Sequence, residues 1–168
     1  RYLNAVSGDV FSASHNPPEH NGKKVYDEFG GQLIPPFDEE LVTEVTDHVT
    51  EIKTLAYDQA VAQKLVTVIG TKVDDAYIRE CIKLSLSSER DVKIVYTPLH
   101  GCGLTSVPKA LEALGFVAEL DPATSNPSGK FENVTFNIPN PEVIQSFDTP
   151  LKHAKKVNAD ILLNSDPD

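Results

Sequence analysis

From Lys93 onward, short apolar runs alternate with stripes of helical spacing, and this alternation constrains the chain more than any other feature. Lys93-Ile94-Val95-Tyr96 reads as a buried strand. Residues 104–114 then read as a helix with Leu104, Val107, Leu111 and Leu114 on one stripe and Gly115 as its cap. A second strand is expected over residues 117–120, a helix near 150–157, and a third strand at Ile161. Strand alternating with helix implies a parallel sheet with helices covering it. The expected class is therefore α/β, built of mixed or parallel sheet units covered by helices.

The earlier residues are less regular. Residues 6–11 and 24–26 read as short strands. Residues 38–52 read as a helix: Leu41, Val45, His48 or Val49, and Ile52 share a face, and Asp38, Glu39 and Glu40 suit its positive N-terminal end. On that face His48 reads as a packing residue. The polar stretch 53–64 reads as a linker, and the apolar stretch 65–69 opens the next segment. Residues 73–84 are expected to be helical with Val73, Tyr77, Cys81 and Leu84 inward. The expected domains are thus 1–60 and 65–168.

The chain has 168 residues, 40% of them hydrophobic, enough for an ordinary packed core. It opens on Arg1 and contains no methionine, so it is expected to be a piece of a longer polypeptide. A formal charge of -10 argues against nucleic acid or an anionic membrane as partner. No apolar run approaches the roughly 18 residues of a membrane span. Cys81 and Cys102 make neither a metal-spaced pair nor a disulfide framework, so a cytoplasmic location is expected.

Two segments carry chemistry. In residues 12–26, Pro17-Pro18 stiffens the backbone just after Ser14 and pushes Asn16 toward an extended conformation. Asn21-Gly22 supplies a second turn, and Lys23 and Lys24 follow it. The loop is expected to present Ser14 outward beside cations that suit an anion. Read without its residue order, it is also a plain polar surface loop in which Ser14 makes a side-chain turn. At the other end, the apolar run 159–163 leads into Asn164-Ser165-Asp166-Pro167-Asp168. Two carboxylates separated by a rigid proline can converge on a hard cation such as Mg²⁺, although two are too few to complete its shell. Alone, Asp-Pro-Asp is more often a turn or a helix cap than a metal site. Thr97-Pro98-Leu99-His100-Gly101-Cys102-Gly103, between the first strand and helix of the later segment, allows two readings: a phosphate cradle of backbone N–H groups, or glycines placed for close packing. Lys152-His153-Ala154-Lys155-Lys156 reads as a solvated, basic helix end.

Ser12-Ala13-Ser14-His15-Asn16-Pro17 followed by Asn21-Gly22-Lys23-Lys24 closely resembles the active-serine loop of the alpha-D-phosphohexomutases, the phosphoglucomutase and phosphomannomutase family. Tyr96-Thr97-Pro98-Leu99-His100-Gly101, Pro139-Asn140-Pro141-Glu142 and the terminal aspartate loop extend the resemblance over nearly the whole chain. The resemblance implies that Ser14 carries a phosphoryl group, that Lys24 moves a proton, and that His15 and Asn16 shape the site. It also implies that Asp166, Asp168 and the Ser14-bound phosphate ligate Mg²⁺, that glucose 1,6-bisphosphate activates, and that a hexose phosphate is the substrate. Ser12 stands where the family commonly has threonine, and Lys23 where it has an aromatic residue. The third aspartate and the arginine of the family's metal loop would fall after Asp168. Family members have four domains, of which this chain would hold the end of the first and most of the second, and the chain alone is expected to be inactive. Two alternatives remain: a non-catalytic sugar-phosphate-binding relative, or an aspartyl phosphatase using the Asp-x-Asp pair. Ser14 and Asp166 are expected to face a common cleft between the two segments, and open sheet edges in the first segment could pair with another copy.

Overall fold

The computed structural model describes residues 2–168. The chain divides into two compact units. One holds the residues up to Val10 together with Lys23–Val73; the other holds Phe11–Gly22 and Asp74–Asp168.

Strands β1 (Gly8–Phe11), which lies in the first unit up to Val10, and β2 (Lys23–Tyr26) pair in a two-stranded sheet. Helix α1 (Phe37–Thr43) follows, with Asp38, Glu39 and Glu40 in its first turn, where the partial positive charge of the helix end favours carboxylates. It passes into a wider π-type turn over Glu44–His48 and stops at Val49, whose ψ of 100° is extended. The helix expected to reach residue 52 is therefore shorter. Its apolar face is also uncovered: Leu41, Val45 and Ile52 are all exposed. His48 does not pack; it is exposed, and its Nδ1 lies 2.6 Å from Glu44 Oε2, one turn back. The expected linker contains a short helix, α2 (Tyr57–Ala62), with Ala60 buried.

Helix α3 (Thr71–Ile82) crosses the boundary between the units. It buries Ala76 and Ile78, while Tyr77 and Leu84, expected inward, are exposed. The second unit is built on a parallel sheet in the order β4 (Val117–Leu120), β3 (Lys93–Thr97), β5 (Ile161–Asn164). Its central strand holds Ile94, Val95 and Tyr96 out of water, as expected for a strand paired on both edges and covered by helices. A 3₁₀ turn (Cys102–Thr105) and α4 (Val107–Ala113) link β3 to β4, and the Leu104, Val107, Leu111 and Leu114 stripe is half-buried. Gly115, at φ 85°, closes α4: its N–H donates to Glu112 O, and that of Phe116 to Leu111 O. Helix α5 (Asp148–Lys156) buries Pro150 and Ala154 and carries His153, Lys155 and Lys156 in its last turn. Among the described residues no helix is long and apolar enough to cross a membrane.

Candidate active site

Thr97 at the end of β3 is in register with Asn164 at the end of β5, so the loops after both strands leave the same edge of the sheet. The two loops are locked together. Ser165 N–H donates to Thr97 O at 3.3 Å, and Cys102 N–H to Pro167 O at 2.8 Å. A Cβ on Gly101 would lie 2.2 Å from Pro167 Cα, and one on Gly103 would lie 2.2 Å from the Tyr96 hydroxyl and 2.7 Å from Ser165 Oγ. Both glycines are thus present for close approach. Of the two readings of this loop, the close-packing one fits, because the N–H groups of His100, Gly101 and Cys102 donate to Thr124, Pro98 and Pro167 carbonyls. The Tyr96 hydroxyl lies 2.8 Å from Ser165 Oγ. Burial pushes the Tyr96 phenol up from its ordinary pKa, with the Ser165 contact opposing.

The serine loop is closed at its neck by Ser12 N–H donating to Gly22 O at 3.1 Å. A side chain at Gly22 would come within 2.2 Å of Ser12 O, so the neck needs glycine. Two turns follow, with Asn16 N–H on Ala13 O and His20 N–H on Pro17 O. Ser14 sits at the first of them with φ 57°, in the left-handed region, and its N–H donates to Ser12 Oγ at 3.0 Å. Serine in place of the family's threonine therefore keeps the hydroxyl that this contact uses.

This geometry delivers Ser14 to the aspartate loop. Ser14 Oγ donates to Asp166 Oδ1 in a short hydrogen bond spanning 152 positions of sequence. His15 Nδ1 lies 3.1 Å from Asp166 Oδ2 and 3.2 Å from Ser14 Oγ, and His15 Nε2 lies 3.3 Å from Asn140 Nδ2. The side chains of His15 and Asp166 are each one-third exposed, and His15 borders a groove of about 480 Å³ lined in part by Pro17, Pro18, Phe131 and Phe136. Ser14 and Asp166, expected to face one another, meet inside the second unit, to which residues 11–22 and 166 both belong.

Asn16 is exposed and contributes the backbone turn to Ala13, Asp168 is exposed, and Lys24 is half-buried on β2 in the first unit. Among the described residues no three His, Cys, Asp or Glu side chains gather as a metal-ligating group. The Ser14 hydroxyl and Asp166 carboxylate are nonetheless adjoining hard oxygen donors, which fit part of a Mg²⁺ shell. Sequence reasoning missed Ser12 and Asn140 as contacts of the cluster; Asn140 lies in Pro139-Asn140-Pro141-Glu142, where Asn before Pro signals a side-chain turn.

The family model described as phosphoglucomutase/phosphomannomutase, alpha/beta/alpha domain II, matches residues 75–168, more than half the chain, and the domain I model matches residues 1–52. The chain belongs to the phosphoglucomutase/phosphomannomutase family. It is 33% identical over its whole length to a phosphoglucomutase of Staphylococcus epidermidis, of which it covers 31%. It is 32% identical over its whole length to a phosphomannomutase of Mycoplasmoides pirum, again covering 31% of the relative. The crystal structure of a family protein from Burkholderia thailandensis superposes on 96% of the chain with a TM-score of 0.70 at 22% identity, the chain covering 31% of it; that likeness shows the shared fold. The chain thus spans about a third of the length of the curated relatives it matches.

Proposed function

We propose that this chain supplies the phosphoryl-carrying half-site of a phosphohexomutase that interconverts hexose 1-phosphate and hexose 6-phosphate, with glucose or mannose as the sugar. The hydrogen bond from Ser14 Oγ to Asp166 Oδ1 carries the reading, because it joins the two motifs of the resemblance across the length of the chain. In this scheme Ser14 holds a phosphoryl group through Oγ. The free hydroxyl of a bound hexose monophosphate attacks phosphorus, the bond to Ser14 Oγ breaks, and a 1,6-bisphosphate forms. After the intermediate turns over, its other phosphoryl group returns to Ser14. Serine is a weak nucleophile at its free pKa and needs a positioned acceptor for its proton on the return step. Asp166 orients the Ser14 hydroxyl by accepting its hydrogen bond, and Lys24 is our candidate for moving the proton between the substrate hydroxyl and Ser14 Oγ. Asp166, Asp168 and a phosphoryl oxygen on Ser14 would hold Mg²⁺, which when bound offsets the negative charge of the transferring group. Glucose 1,6-bisphosphate would load the serine.

The same proposal makes the 168-residue chain inactive by itself. Phosphoryl transfer depends chiefly on positioning, and the resemblance assigns the sugar contacts and the distal phosphate clamp to two further domains. The test is phosphorylation and turnover together. A full-length protein containing this chain, incubated with glucose 1,6-bisphosphate and Mg²⁺, should gain one phosphate on Ser14 by peptide mass spectrometry. Ser14→Ala should abolish that mass gain and nearly all conversion of glucose 1-phosphate to glucose 6-phosphate, with stability changed by no more than about 1 kcal/mol. Undiminished turnover in the alanine variant refutes the assignment.

A further inference from the structure

Asn140 is held on both sides before it meets the site. Pro139 is fully buried, Pro141 follows, and the Val143 N–H donates to the Asn140 backbone carbonyl at 3.0 Å. The side-chain Oδ1 accepts the Glu142 N–H at 2.8 Å. A backbone N–H can only donate, so this contact decides which end of the amide is oxygen, an assignment that otherwise rests on choice. The NH₂ end must then be the one facing His15, and Nδ2 lies 3.3 Å from His15 Nε2. An NH₂ group has no lone pair to offer, so His15 Nε2 must be the acceptor and carry no hydrogen. On the far side of the ring, Nδ1 faces the Asp166 carboxylate at 3.1 Å. A carboxylate accepts, so Nδ1 carries the hydrogen.

We propose that Asn140 is a positioning residue: it fixes the ring hydrogen of His15 on Nδ1, so that the imidazole and the Ser14 hydroxyl donate together to opposite oxygens of Asp166. The tautomer follows from the hydrogen-bond chain alone. Its meaning for phosphoryl transfer rests on the reading of Ser14 and Asp166 given above. With both donors in place, Asp166 is held in one orientation beside Ser14 in its hydroxyl form, the form that accepts the returning phosphoryl group. Losing the Asn140 donor frees the ring to take its hydrogen at Nε2 and removes one of the two groups that aim the carboxylate.

Long-range ¹⁵N–¹H correlation spectra of the ¹⁵N-labelled chain in mildly alkaline buffer read the tautomer directly, with His15 assigned by the signals lost in His15→Gln. In the unsubstituted chain Nε2 should resonate as a hydrogen-free ring nitrogen and Nδ1 as an N–H nitrogen. Asn140→Asp keeps an oxygen for the Glu142 N–H, and so keeps the turn, but presents an acceptor where the donor stood. In that variant Nε2 should move far upfield into the N–H range while the backbone amide spectrum elsewhere is unchanged. A merely structural Asn140 would leave Nε2 hydrogen-free in the aspartate variant, and that result overturns the proposal. So does an N–H signal at Nε2 in the unsubstituted chain, a test that requires no variant to fold. Phosphate loading of Ser14 does not enter either measurement, so failure of the mutase reading and failure of this one are separable.

Discussion

Ser14 adopts a left-handed backbone conformation that costs a non-glycine residue on the order of 1 kcal/mol or more, and the loop around it supplies what holds it there. Ser12 Oγ accepts its N–H, Gly22 lets the neck close, and Asp166 takes its hydroxyl. The aspartate side of the pair depends on Gly101 in the same way. Gly101→Ala would drive a methyl group into the Pro167 backbone at 2.2 Å, and because Pro167 adjoins Asp166, the loop must shift. We expect a loss of about 1–3 kcal/mol of stability by denaturant titration, as for overpacking. We also expect the His15 ring signals to change, because Asp166 moves away; unchanged His15 signals with full stability would show that the loop yields without cost. The Asp-Pro-Asp ending was legible as a motif, but its anchoring on Gly101 was not, since nothing in the sequence relates positions 101 and 167.

Among the elements, β3 and α1 mark the extremes of how well periodicity foretold burial. β3 is apolar throughout its centre and is buried, because strands pair with it on both sides. α1 has an equally regular stripe, yet Val45, just past its end, stays 55% exposed: a stripe is buried only where a surface is present to receive it. Val45→Ser should therefore change stability by no more than about 0.5 kcal/mol. Leu99→Ala, at a fully buried position in the loop after β3, should cost about 2–5 kcal/mol. Equal effects in urea titrations of the two variants would contradict these burials. Tyr96 adds a pH dependence. Its folded pKa is raised chiefly by burial, so the folded state holds the phenolic proton more tightly than the unfolded chain. That contribution is fully present below the ordinary tyrosine value near 10 and is lost as pH rises above it. Unfolding midpoints followed into alkaline buffer should accordingly fall more steeply for the unsubstituted chain than for Tyr96→Phe; parallel curves would rule this out.

Across the whole molecule, the buried hydrophobic residues are concentrated in the second unit. Among the described residues, Ile94, Val95, Tyr96, Leu99, Phe131, Val134 and Ala154 lie there, whereas the first unit contributes Ala60. Local opening free energies follow buried apolar contact, so amide hydrogen exchange should be slowest in β3 and β5 and fast in α1, α2 and β2. Uniform protection across both units would contradict that distribution.

The local pattern was written in the sequence: a serine loop made of residues that force turns, an Asp-Pro-Asp loop, and a run of strands and helices that implies a helix-covered sheet. Local rules sufficed there because proline, glycine and apolar periodicity act on their own neighbours. What only the tertiary structure decided was which pieces belong together. Residues 11–22 fall within the segment matching domain I, yet pack with the unit that matches domain II, where Ser14 reaches Asp166 and His15 reaches Asn140. Contacts between positions more than a hundred residues apart depend on how the chain returns on itself in space, and no local propensity encodes that path.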